Sequence, residues 1–84
     1  MKSKYIGVDL ATEKLDVYGE CGHVALRNDE DGRRKFLTLV KKAGPETVVA
    51  YESTGYVSKE FAGLLYDHGI SQVCINARKV HRFA

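Results

Sequence analysis

Two carboxylates stand where apolar runs end: Asp9 closes "KYIGVD" and Glu52 closes "TVVAYE". A charge taken from water is costly unless it is paired, hydrogen-bonded or bound to a metal, so each position asks for a partner. If the two runs are adjacent parallel strands, about 4.8 Å apart, their side chains converge at the strand ends where open α/β sheets place ligands. Two close carboxylates repel unless a cation lies between them, and Mg²⁺ or Mn²⁺ is the natural occupant. Such a site suggests two-metal phosphodiester cleavage or transfer, one ion activating the nucleophile and the other stabilising the leaving oxygen. The same residues also have a plainer reading. An Asp at a strand end can cap the turn amides of Thr12 and Glu13, and Glu52 can cap the helix that follows. In the turn between, the Thr54 hydroxyl can cap that helix and Gly55 can supply a backbone conformation denied to other residues. Spacing alone does not separate the two readings.

The elements that must position Asp9 and Glu52 follow from periodicity. Tyr5 to Asp9 reads as a strand, and Lys14 to Gly19 as a second, with Leu15 and Val17 alternating with Lys14, Asp16 and Tyr18. His23 to Arg27 makes a third, and the short connections imply an antiparallel meander. In "NDEDGRRKFLTLVKKAGP", Phe36, Leu37, Leu39, Val40 and Ala43 recur at helical spacing, with acids first, Lys41 and Lys42 last, and Gly44-Pro45 as the stop. "TVVAYE" suits a central strand. Val57, Phe61, Leu64, Leu65 and His68 then form a second helical stripe closed by Gly69. "SQVCI" reads as one more buried strand, and Asn76 to Ala84 as a turn entering a helix. Right-handed crossovers put successive parallel strands side by side, so the Thr47 strand docks on strand one. The resulting α/β sheet has the order 3-2-1-4-5, which is the ribonuclease H-like arrangement, and it places Asp9 beside Glu52.

Bulk properties bound the rest. A chain of 84 residues forms one small domain, spanning 1–84. An apolar fraction of 44% and a charged fraction of 29% are ordinary for a soluble globular protein. No apolar run approaches the length of a membrane span, and the stretch after Lys4 is broken at Asp9, too early for a signal peptide. A cytoplasmic protein with no membrane association is expected. Cys21, in a turn, and Cys74, in an apolar strand, lack zinc or redox spacing and read as free thiols. The net charge of +2 is too small to diagnose nucleic-acid binding. The cluster of Arg78, Lys79, His81 and Arg82 could meet phosphate, although clusters of this size are commonly solvated surface.

Taken together, "IGVDLATEKLDV", the "DGRRKFLTLV" helix and "VVAYESTGYVSKEFAGLLYDHGISQVCINARKVHRFA" resemble the N-terminal, RuvC-like domain of DEDD-type insertion-sequence transposases. The likeness is to the Piv/MooV invertase-like group, of the insertion sequence 110 type, and covers almost the whole chain. In that family the Asp of a "G-[IV]-D" motif, the Glu of an "E-[AST]-T-G" motif and two later Asp residues form a metal site. Asp9 matches the first and Glu52 the second. Ser53, Thr54, Gly55 and Tyr56 fit the turn that supports the site, and "VHRFA" fits a "V-R-x-F-A" stretch near Arg82 and Phe83. Each motif is weak alone; their order and spacing are specific. Ala77 departs from the family, which has Pro after the Asn.

The resemblance implies a DNA transposase or recombinase acting through a Mg²⁺ or Mn²⁺ carboxylate site, with DNA as partner, a guide RNA in target choice and a homo-oligomeric state. The two later Asp residues and the family's serine nucleophile have no counterpart among these residues. Ser53 and Ser58 read as turn or helix-start residues. The chain is thus expected to be an N-terminal fragment, inactive alone. Two rivals come from other classes. One is an ATP-binding fragment of the actin and sugar-kinase type, which would need a Gly and hydroxyl residues after the Asp where Leu10, Ala11 and Thr12 stand. The other is a non-catalytic dimerisation or interaction module whose carboxylates are structural.

Overall fold

The structure, a computed structural model, describes residues 4–20, 22–52 and 55–75. Strand β1 (Lys4–Leu10) turns tightly into β2 (Lys14–Gly19), and β3 (Gly22–Arg27) completes a meander. Helix α1 (Glu30–Ala43) leads to β4 (Thr47–Glu52), and α2 (Tyr56–Asp67) leads to β5 (Ser71–Ile75). The five strands form one mixed sheet in the order β3-β2-β1-β4-β5, with β1, β4 and β5 parallel. The β1–β2 hairpin closes on a reciprocal pair, Ala11 N–H to Lys14 carbonyl at 2.9 Å and Lys14 N–H to Ala11 carbonyl at 3.4 Å.

Strand alternation decides which face is covered. Ile6, Val8 and Leu10 of β1, Leu15 and Val17 of β2, and Val49 and Tyr51 of β4 point to one side, where Phe36 and Val40 of α1 and Phe61 and Leu65 of α2 complete the core. Both helices therefore lie on the same face. Phe36 and Phe61 meet with ring centroids 5.3 Å apart, and Phe61 also packs edge-on against Tyr51 at 5.2 Å. The Tyr51 hydroxyl donates to Gln72 Oε1, and Gln72 Nε2 donates to the Ala62 carbonyl at 3.1 Å, tying β4, β5 and α2 together. Burial, with a smaller contribution from the nearby Cys74 thiol, holds the Tyr51 phenol above its ordinary pKa.

Helix α1 starts where its sequence says it should. The Asp29 carboxylate accepts from the Gly32 N–H at 2.8 Å, Glu30 and Asp31 occupy the first turn, and Lys41 and Lys42 complement the helix dipole in the last. Asn28 anchors this entry to the β1–β2 hairpin: its side chain donates to the Ala11 carbonyl at 2.8 Å and accepts from Arg33 Nε at 3.1 Å. Helix α2 starts differently. Its N-cap is Gly55, at φ 75°, with no side-chain cap, and the Ser58 hydroxyl donates back to the Gly55 carbonyl at 2.7 Å. Gly55 has a positive φ of the kind denied to other residues, as the sequence suggested; Thr54, read as able to cap the helix, lies outside the described residues.

Gly63 sits mid-helix in α2 with nothing within 4 Å of the position a Cβ would take. Replacing it by Ala removes backbone freedom from the unfolded chain without touching a neighbour. Gly63→Ala is therefore expected to stabilise the fold by about 0.5–1 kcal/mol, read as a higher urea midpoint at unchanged slope.

Local expectations at three strands are corrected. β1 runs on to Leu10, which is buried, so Asp9 is not its last residue; Tyr5, although part of the apolar run, is 64% exposed. β5 is not a buried strand: Val73, Cys74 and Ile75 are exposed and Gln72 is half-buried. It pairs with β4 alone among the described strands, and one of its faces lies on the side of the sheet that carries neither helix. The third strand starts one residue early, at Gly22. Cys21 and the segment 76–84 lie outside the described residues.

Candidate functional site

The register brings Asp9 and Glu52 to the same place. β1 and β4 pair in parallel through Ile6↔Val49, Gly7↔Ala50 and Val8↔Tyr51, and Asp9 and Glu52 are the next residue along each strand. Each follows a buried residue, Val8 or Tyr51, and strand alternation turns both carboxylates to the helix-free face. With adjacent strands about 4.8 Å apart, the two side chains are lateral neighbours. Both are exposed, so the desolvation argument that first singled out Asp9 does not apply; what marks the pair is like charge placed side by side.

For Asp9 the capping alternative finds no support among the described residues. The turn after β1 is closed by the backbone bonds between Ala11 and Lys14, and no hydrogen bond to the Asp9 carboxylate occurs among the described residues. Neither Asp9 nor Glu52 has an ion-pair partner there. This differs from Asp16, a third carboxylate of the same row. Asp16 lies directly across from Asp9 on β2, yet it accepts from His23 Nε2 at 2.8 Å and has Lys14 Nζ at 3.7 Å. His23 in turn stacks on Tyr18, with centroids 4.6 Å apart and planes inclined by 19°. The row across the open face thus runs Asp16, Asp9, Glu52, with the first compensated and the other two without a cation partner among the described residues.

Asp16 was not singled out by the sequence motifs, although a signal was available. Counting back from the Ala11–Lys14 closure of a two-residue hairpin pairs Leu10 with Leu15 and Asp9 with Asp16. The Asp16–His23 pairing, by contrast, depends on the β2–β3 register, which sets Tyr18 opposite His23 and Asp16 opposite Ala25.

The donor set suits a hard, oxygen-loving cation in kind but supplies only part of a coordination shell. No group of three or more His, Cys, Asp or Glu close enough to enclose a metal occurs among the described residues. Asp9 and Glu52 can offer two carboxylates, a number that suits Mg²⁺, which keeps several waters and takes other ligands from substrate phosphates. Of the remaining site residues read from the sequence, Gly55 stands at the start of α2, three positions past the end of β4. Thr54, Arg78, Lys79 and Arg82 lie outside the described residues. No helix among the described residues is long and apolar enough to cross a membrane. No family model matches the chain, and no curated protein matches its sequence.

Proposed function

We propose that the chain is the N-terminal part of a ribonuclease H-like, RuvC-like domain of a DEDD-type insertion-sequence transposase, and that Asp9 and Glu52 are two of its metal-binding carboxylates. The observation that carries this reading is the central parallel pair β1–β4, which sets the two carboxylates side by side, exposed and without a cation partner among the described residues. The strand order, the position of the "G-V-D" residues on β1 and that of Glu52 at the end of β4 agree with the motif resemblance. A divalent ion at this edge supplies charge neutralisation at a phosphodiester and a lowered pKa for an attacking hydroxyl or water. The chain's own contribution is to hold the two oxygens of the pair in lateral register on rigid strands. Substrate DNA would be met through phosphates by Arg78, Lys79 and Arg82, giving weak, sequence-independent and salt-sensitive binding. A guide RNA and a homo-oligomeric assembly belong to the same reading by resemblance.

Two carboxylates with water in the remaining positions give loose occupancy, since affinity for hard cations follows ligand number and charge. Titrating Mn²⁺ into the isotopically labelled chain is expected to broaden the amide resonances of Val8 to Leu10 and Tyr51 to Glu52 only at millimolar concentration. Asp9→Asn should remove that broadening and leave the fold unchanged by circular dichroism. Broadening centred elsewhere, or surviving Asp9→Asn, would sink the metal-site reading. In the same preparation the wild-type chain is expected neither to nick nor to join DNA, and Mg²⁺ with ATP should leave its thermal midpoint unmoved, which separates this reading from the kinase-like one.

A further inference from the structure

At the opposite end of the sheet from Asp9 and Glu52, a groove of about 540 Å³ opens between the C-terminal ends of α1 and α2. Its volume falls in the range of small-molecule sites. We propose that it binds a small organic anion, a carboxylate or phosphate group carried on an apolar body.

Three independent features point there. The floor and walls include Leu37, Val40, Pro45 and Ile70, an apolar surface for the body of a ligand. The ionisable groups lining it are Arg34 and Lys41 of α1 and His68 at the end of α2, with no Asp or Glu among the described lining residues. Arg34 and Lys41 are seven positions apart on one helix, hence on the same face two turns apart. Arg34 has one described carboxylate neighbour, Asp31 at 3.8 Å, in a pair so exposed that it competes weakly for the guanidinium. Lys41 has no ion-pair partner among the described residues.

The third feature is Thr47. As the first residue of β4 it points to the helix side, is 3% exposed and lines the groove, and its Oγ1 is the one buried side-chain polar atom among the described residues without a hydrogen-bond partner. Buried hydroxyls are almost always bonded, so an orphan beside a cavity marks a place where a ligand atom completes the structure. Helix C-termini ordinarily disfavour anions, a cost that Arg34 and Lys41 offset and that is reduced where terminal carbonyls are already engaged. Gly44 N–H meets the Val40 and Lys41 carbonyls, His68 and Ile70 N–H both meet Leu65, and Gly69 N–H meets Tyr66. His68 Nδ1 donates to the Leu64 carbonyl at 3.0 Å, which ties the ring back to the end of α2.

The test uses the intact chain and four probes: phenyl phosphate, benzoate, inorganic phosphate and benzylamine, each titrated while amide shifts are followed. Phenyl phosphate or benzoate is expected to move Thr47, Gly69, Ile70 and Ser71 saturably, and the tighter of the two names the anionic group. Inorganic phosphate should bind at least about tenfold more weakly, and benzylamine should leave these amides unmoved. Thr47→Val, close in shape, should raise the thermal midpoint of the free chain and weaken the favoured probe by at least about tenfold, while Thr47→Ser retains binding. The exposed double variant Arg34→Gln, Lys41→Gln should lose it. No saturable shift with either aromatic anion, equal shifts with benzylamine, inorganic phosphate binding as tightly as phenyl phosphate, or unchanged affinity in Thr47→Val or in the double variant would each overturn the proposal.

Discussion

Gly32→Ala is expected to destabilise the fold by at least about 3 kcal/mol, read as a large drop in urea midpoint. Gly32 is buried in the first turn of α1. A Cβ built there lies 1.7 Å from the Arg27 carbonyl oxygen, 2.7 Å from its carbon and 3.0 Å from its nitrogen. All three are backbone atoms of the last residue of β3, so no side chain can swing aside. The helix start must move off the strand. That motion also strains the Asp29 cap and the Arg33–Asn28 contact, both of which depend on where the helix begins. An 84-residue domain has a total stability of roughly 4–12 kcal/mol, so the loss takes a large share of it. Urea denaturation checks this directly, with Gly63→Ala as the control that a Gly-to-Ala change in a helix is otherwise favourable. A midpoint for Gly32→Ala within error of wild type would show that α1 can pull away from β3 freely.

Phe61→Ala carries the second large effect, an expected loss of about 3–5 kcal/mol. Phe61 is 3% exposed and stands between Phe36 of the other helix and Tyr51 of the sheet. Truncation removes the transfer energy of the ring, leaves a hole bounded by the fully buried Phe36, and breaks two aromatic contacts worth about 0.5–1.5 kcal/mol each beyond burial. Phe61→Leu should recover most of the volume and more than half of the loss. Equilibrium unfolding of the pair decides the matter: a loss below about 1 kcal/mol for the Ala variant would mean that the two helices close over the gap.

How much of this was legible in the sequence depends on whether local or non-local physics decided it. The Asp29 cap, the acidic first turn, the Lys41-Lys42 end and the Gly44 stop of α1 are local, and the helix lies where they put it. The strand order followed from one chirality rule applied to two crossovers, and with it the adjacency of Asp9 and Glu52. Facing was harder. An apolar run such as "SQVCI" looks the same whether both of its faces are covered or one, and β5 sits where Val73 and Ile75 have nothing described above them. The same holds for Tyr5, which belongs to the apolar run of β1 and yet is exposed. Asp16 escaped notice because its relation to Asp9 is a matter of register, and Thr47 because nothing in "PETVVAYE" says that its hydroxyl finds no partner. Whether a carboxylate is compensated is likewise a tertiary fact: Asp16 meets His23 across the β2–β3 pair, and Asp9 meets no cation among the described residues.

The central position of β1 sets the order in which the fold can be made. Its pairing with β2 needs only a two-residue turn, whereas its pairing with β4 joins Lys4 to Thr47 across all of β2, β3 and α1. Closing that long loop is the slow entropic step, and the meander must wait for it. During the wait β1 is an edge strand, with Tyr5, Ile6 and Val8 along an unpaired backbone that another nascent chain could extend. Lys4 at one end and Asp9 at the other are the charges that interrupt this template. A charge at Asp9 is placed to interrupt chain-to-chain association before β4 arrives, and Asp9→Val is expected to lower the yield of soluble, folded chain on refolding.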